Sequence, residues 1–301
     1  MRIPCCFYPY PGEMLSSTCG RILKHTSLPL SSIDRLCGSK LKRSHNGAFS
    51  LELLRFFHGM LEHRLSVMEL ACSCTIFPMF MMFASERTVA QHQFLAGGAK
   101  TVPGSVTNKS FMSIHFCRQL LKSHLCFCRD CFREQLERYG ENYWKLIWQL
   151  ALVNTCDIHD CPLVKTSLWQ VQQCRLPTPE DINEASCQEL TVDRHSHVLT
   201  RTAAMLLANR KLTRREKWIE KLQKVAATDG VTDIRVAPVE SDYHIASKML
   251  VNRIRSYWGR DWLETHCRGM VDRHCFRLGG DWLHYLLAFQ ALNQDLGCTP
   301  D

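Results

Sequence analysis

The chain has 301 residues, 46% of them hydrophobic and 22% charged, with a formal charge of +8 and a pI near 8.7. That length can bury at least one sizeable core and suggests roughly two domains, and the composition excludes a disordered or low-complexity polypeptide. The 17 cysteines are odd in number and irregularly spaced, and the opening ten residues hold no apolar signal-peptide core. Paired metal ligands in a reducing cytoplasm are therefore expected rather than a secreted disulfide framework.

In chain order, Met14, Leu15, Thr18, Cys19, Ile22 and Leu23 recur at helical spacing, with Arg21 and Lys24 on the outer side. A second short helix is predicted over 28–36, with Ser31 or Ser32 as its cap. A basic turn bearing Lys40, Lys42 and Arg43 follows, and then an amphipathic helix over 50–70. Short helices around a tight basic turn suggest a helix-turn-helix-like arrangement. The apolar run 70–84 is shorter than the roughly 20 residues that span a bilayer and is broken by Pro78, so it is expected in a core; Cys72 and Cys74 read as small core residues. The loop 97–104 lacks the G-x-x-x-x-G-K-[ST] spacing that cradles phosphate.

A helix over 111–124 is predicted to lead into Cys128-Arg-Asp-Cys131, and another over 133–149, interrupted at Gly140, to lead towards Cys156-Asp-Ile-His159. Each pair, with two intervening residues, presents two donors to one ion, and three cysteines with one histidine are a known structural zinc set. Cys126 and Cys161 stand close enough to substitute, although the C-x-x-C and C-x-x-H spacing favours the four paired residues; Cys126 is the first reserve. Tyr139 and Tyr143, like Trp144 and Trp148, lie four residues apart; an aromatic wall under the metal is preferred to a platform for stacking bases.

Leu176–Glu184, with two prolines and three acids, is the expected linker. Helices are predicted over 197–209, 213–227, 242–258, 262–272 and 281–293. The chain is accordingly divided into an N-terminal helical part (1–105), a zinc-finger module (106–175) and a C-terminal helical domain (185–301), a mainly α fold with helix-turn-helix-like parts flanking the module. Arg210, Lys211, Arg214 and Arg215, and then Arg253 and Arg255, form basic groups that suit phosphate contacts; a solvated helix face is the alternative for each. A second metal at His266, Cys267, His274 and Cys275 is weighed against core cysteines and surface histidines.

Four protein donors complete a tetrahedron, whereas catalytic zinc keeps a position for water. H-E-x-x-H, the H-x-E of zinc deaminases and G-x-S-x-G are all absent. At least one structural Zn2+ and no enzymatic activity are expected. The competing reading is a hydrolase with an open zinc site, in which Cys126 or water is the fourth ligand and His115 or Glu134 the base.

Phe127-Cys128-x-x-Cys131, Glu137-Arg-Tyr-Gly-Glu141-Asn-Tyr-Trp144, Trp148-Gln149-Leu150 and Cys156-x-x-His159-x-x-Pro162-Leu163 resemble the TniQ/TnsD family of target-selection proteins from Tn-seven-like transposons. Tyr10-Pro-Gly-Glu13-x-Leu15 with Arg21 is similar to the family's opening. Tyr257-Trp-Gly259-x-x-Trp262-Leu263 and Asp281-Trp282-Leu283 are similar to its C-terminal half. Arg129 and Asp157 stand where the family commonly has a proline after the first cysteine of each pair.

The resemblance implies a non-catalytic adaptor of the bacterial cytoplasm with no membrane anchor, often a homodimer, carrying zinc on Cys128, Cys131, Cys156 and His159. It further implies a Cascade-like CRISPR effector complex with its guide RNA on target DNA as one partner, and an AAA+ ATPase regulator of transposition as the other. Members that read an attachment site directly carry a longer C-terminal extension than is seen here, which favours the CRISPR-associated version over sequence-specific DNA binding.

Overall fold

The computed structural model describes residues 8–29, 31–32, 51–61, 64–79, 121–169, 176–208, the single positions 220, 224 and 227, and 235–239, 242–246, 248–266 and 276–278. The chain divides into two compact units, Met1–Pro78 with Ala90–Arg210 and Met79–Val89 with Lys211–Asp301. The architecture is rich in helix, with two small antiparallel sheets among the described residues. No helix among the described residues is long and apolar enough to cross a membrane.

In the first unit, α1 (Leu15–Thr26) buries every residue from Leu15 to Ile22, because chain packs on more than one of its faces. Arg21 is therefore not on an outer side: it is 4% exposed and ion-paired. Gly20 is where another segment approaches: a Cβ there would lie 3.4 Å from the Thr178 methyl and 3.6 Å from the Leu176 carbonyl. The Pro-rich stretch 176–184 thus lies against α1 within the first unit, and the boundary between units falls at Arg210/Lys211. Trp144 Nε1 donates to Pro177 O (3.0 Å), and Lys24 pairs with Glu180.

The amphipathic stretch 50–70 is two helices, α2 (Leu51–Met60) and α3 (Val67–Cys74). The break has a local cause. Ser66 Oγ accepts from Glu69 N while the Glu69 carboxylate accepts from Ser66 N, a capping box that starts a new helix. From the expected core run, Leu70, Ala71, Cys74, Ile76 and Phe77 are buried.

The remainder of this unit is built around β1 (His124–Phe127), α4 (Arg129–Tyr139), a 3-10 turn (Ile147–Gln149), β2 (Val164–Trp169), β3 (Gln188–Glu189) and α5 (Ser196–Ala208). The sheet order is β1-β2-β3, all antiparallel. The helix expected over 111–124 is described only from Leu121, and there it is not helix: Leu121 bridges to Leu150 and His124 opens β1, which pairs with β2. The helix expected over 133–149 ends at Tyr139. Gly140 takes φ 73°, a left-handed cap whose N–H donates to Leu136 O.

In the second unit, β4 (Arg235–Val239) and β5 (Asp242–Ala246) form a hairpin, and β6 (Phe276–Leu278) pairs with the other edge of β5. The helix expected over 242–258 therefore begins as a strand, because pairing with β4 claims its first residues. Pro238 sits on the edge strand, where a missing N–H is tolerated. Then α6 (Lys248–Trp258) and α7 (Arg260–His266) meet at Gly259 (φ 81°) and bury Val251, Ile254, Trp258 and Leu263.

Positions 220, 224 and 227 are helical and exposed, one outer face of the helix expected there. The basic turn at 40–45 and its helix-turn-helix-like arrangement, the loop 97–104, the segment 111–120 and the helix 281–293 lie outside the described residues, and so does most of the helix 28–36.

Candidate metal centre

The two cysteine pairs are carried on different local structures that converge. Cys128 is the extended residue that caps α4, its carbonyl accepting from Phe132 N at 3.0 Å, and Cys131 lies in the helix's first turn. The N-terminal end of a helix favours thiolate there. Arg129 occupies the first helical position, where the commonly expected proline would serve only to fix φ.

The second pair sits in a tight loop closed by Cys156 N to Cys161 O (2.8 Å) and by the Thr155–Pro162 bridge. Asp160 turns it with φ 55°. Ile158 N points at Cys156 Sγ (3.5 Å), a peptide donor to a thiolate.

Cys128, Cys131, Cys156 and His159 bring one ligand atom each to within 4.8 Å of one another. His159 Nδ1 lies 3.5, 3.3 and 3.7 Å from the sulfurs of Cys128, Cys131 and Cys156, and Cys131 and Cys156 are 3.5 Å apart. Bond lengths of about 2.3 Å to sulfur and 2.0 Å to nitrogen would place tetrahedral donors roughly 3.5–3.8 Å apart. The four residues therefore fit a single metal ion and can hold one.

The electrostatics agree. Hydrogen bonds from Cys131 and Cys156 pull Cys128 far below the ordinary thiol value, whereas Cys131 is pushed up by the same contact with Cys128. A set of thiols this close suits a cation, which would displace their protons on binding. Burial pushes His159 down, but hydrogen bonds to Cys156 and Glu134 outweigh it and the imidazole is raised.

Glu134, on α4, reaches His159 Nε2 at 3.0 Å. That contact turns Nδ1 towards the sulfurs, as carboxylates behind metal-bound histidines do. Its place behind the imidazole is an orienting one, not that of a base aimed at water. Lys145 Nζ stands 3.8 Å from Cys131 Sγ, where it offsets the surplus negative charge of three thiolates.

Of the two reserve ligands, the order is reversed. Cys126 Sγ turns to His124 O (3.9 Å), away from the four donors. A strand advances about 3.3 Å per residue, so a side chain two residues before Cys128 is carried past the ion. Cys161 Sγ instead touches Cys128 Sγ at 3.5 Å.

Aromatic rings support the centre. Phe127 and Phe132 stack at 4.5 Å, and Phe132 contacts Trp144 and Trp148 at 5.6 and 5.8 Å. Tyr143, Trp144 and Trp148 are buried as the wall under the cysteines, while the part-exposed Tyr139 packs on Tyr10 at 4.4 Å.

A second construction lies beside the first, and spacing alone did not announce it. Arg21 donates through Nε and Nη2 to Glu13 (both 2.9 Å) and through Nη1 to Glu141 (2.7 Å), with its guanidinium 4.0 Å over the Tyr10 ring. Tyr10 Oη and His25 Nε2 complete the Glu141 carboxylate at 2.9 and 2.7 Å. Met14 N donates to Trp144 O (2.9 Å) and Leu146 N to Gly12 O (2.9 Å), so the N-terminal segment is bound to the metal-bearing one as a single packed body. The signal was present in two of the motif stretches, Tyr10-Pro-Gly-Glu13 with Arg21 and Gly140-Glu141, but not the pairing between them.

Of the basic residues singled out in the sequence, Arg253 and Arg255 are part-exposed on α6. Lys40, Lys42, Arg43, Arg210, Lys211, Arg214 and Arg215 lie outside the described residues. So do His115, Cys267, His274 and Cys275, while His266 stacks on Trp262 (4.5 Å) and its Nδ1 meets Trp262 O.

No curated protein matches the chain. The family model TniQ matches residues 4–163, a stretch that holds α1, the ion-pair network and all four donors. With more than half of its length covered by that match, the chain belongs to the TniQ family, whose members are transposition-associated targeting proteins.

Proposed function

We propose that this chain is a zinc-stapled, non-catalytic adaptor. It links an RNA-guided, Cascade-like CRISPR effector complex, already bound to target DNA, to an AAA+ ATPase that regulates transposition. The observation that carries the reading is the TniQ match over residues 4–163, a match centred on a body whose motif residues are spent on holding its shape.

Cys128, Cys131, Cys156 and His159 would hold Zn2+. When bound, the ion supplies a rigid crosslink between the N-terminus of α4 and the knuckle loop, with all four positions filled by protein. Glu134, a base in the hydrolase reading, is spent on His159. Recognition falls to outer surfaces. Arg253 and Arg255 on α6, with the basic groups at 40–43 and 210–215, are the proposed contacts for nucleic acid or an acidic partner. A homodimer in the bacterial cytoplasm completes the proposal.

The test is reconstitution with a cognate Cascade-like effector complex and AAA+ ATPase. Retention of both on the immobilised full chain, with the ATPase arriving on the effector only when the chain is present, is the expected result. Failure with both partners would contradict it. If the chain alone selects one duplex sequence with a steep salt dependence, direct reading of an attachment site takes its place.

A further inference from the structure

A fifth protein donor, Cys161, adjoins the four that fit the metal. Cys161 is part-exposed, sits two residues beyond His159 on the same loop, and its Sγ is 3.5 Å from Cys128 Sγ, within the range spanned by the accepted donor pairs. It is outside the group of four and forms a neighbouring cluster with Cys128 and Asp130. Its backbone is fixed to Cys156 through Cys156 N–Cys161 O (2.8 Å), so it stays at the loop's base whatever the tip does.

His159 is held differently. Its ring is fixed from outside by Glu134, which is 58% exposed, and the tip residue before it, Ile158, is 60% exposed. Of the four donors it is the one with a solvent-reachable tether, while Cys128, Cys131 and Cys156 are buried.

We propose that Cys161 is an alternate ligand of this centre, moving into the position that His159 vacates and converting a three-sulfur, one-nitrogen site into a four-sulfur one. The exchange breaks one metal–nitrogen bond and makes one metal–sulfur bond, with the Cys161 thiol proton passing to solvent; no electrons move. Its consequence is that the Ile158–His159 tip leaves the metal while the knuckle stays closed. The inference rests on the metal reading of the site, and the experiment separates the two.

Full-length wild type, His159→Ala and His159→Ala/Cys161→Ser are loaded with Co2+ alone and compared by metal stoichiometry, visible spectrum and alkylation mapped by mass spectrometry. Wild type is expected to take one equivalent and leave Cys161 open to alkylation. His159→Ala keeps one equivalent, its thiolate-to-cobalt intensity rises by about a third as three sulfurs become four, and Cys161 becomes protected. The double variant loses tight binding.

Glu134→Ala, an exposed change that cuts no ligand, slows Cys161 alkylation severalfold by loosening the imidazole. His159→Ala with unchanged thiolate intensity and freely alkylated Cys161 overturns the proposal, as does a Glu134→Ala rate equal to wild type. A second cobalt equivalent bound through Cys161 in wild type also overturns it. A wild type that takes no cobalt refutes the metal centre itself.

Discussion

Two constructions hold the first unit together, and they differ in what they require. The metal centre gathers donors from Cys128 to His159, close in sequence, and is complete only with a cation from outside. The network of Glu13, Arg21 and Glu141 pairs a guanidinium with a carboxylate 120 positions away and needs nothing but the chain. The first is a crosslink that fixes two loops; the second locks the N-terminal helix onto what those loops support. Loss of the metal should open one corner, whereas loss of the guanidinium should leave the buried Glu13 carboxylate without its charge partner.

Removing a metal ligand gives the largest expected effect. Structural zinc contributes about 10–16 kcal/mol in small fingers, and the packed aromatic wall here should retain part of that in the metal's absence. Cys131→Ser is expected to abolish stoichiometric zinc by elemental analysis and to lower the melting temperature sharply, most of all in the α4–knuckle region by hydrogen exchange. A variant that melts like wild type would break the comparison on the metal side.

Arg21→Ala comes next. Glu13 is 0% exposed and would be left uncompensated, at a cost of about 3–5 kcal/mol by denaturant titration, with zinc content unchanged. Equal loss of zinc in this variant would show that the two constructions are one.

The acid limb comes third. Burial raises Glu141, but hydrogen bonds from His25, Tyr10 and Arg21 outweigh it and hold its carboxyl below the ordinary 4.5. A carboxylate depressed in the folded state stabilises above its unfolded value and loses that contribution as pH falls through the folded one. Stability should therefore decline below about pH 4.5 in wild type, and Glu141→Gln should flatten that decline while lowering the plateau.

Backbone and capping changes are smaller. Gly140→Ala, forced into φ 73°, should cost about 1–2 kcal/mol, because that residue turns α4 towards Glu141. Ser66→Ala should cost about 1 kcal/mol, confined to α3 and neutral for metal and network alike.

What was legible in the sequence follows the same division. The cysteine pairs could be read because ligand spacing is a local property, and α1 because its apolar period is. Arg21 was misread as an outer residue because its partners Glu13 and Glu141 come from different elements, and helical period says nothing of a second packed face. His124 and the segment 242–246 lie in strands rather than the expected helices because pairing with β2 and β4 overrides propensity. The ranking of Cys126 above Cys161 failed on a three-dimensional point: a tight loop returns Cys161 to Cys128, while an extended strand carries Cys126 away.

The most direct test of the central claim is metal analysis of the full-length protein, purified without chelator, with calorimetry before and after chelation. One zinc per chain at Cys128, Cys131, Cys156 and His159, and a large fall in melting temperature on its removal that Zn2+ restores, are the predicted results. A folded chain that purifies without metal and melts identically with and without chelator would contradict the account.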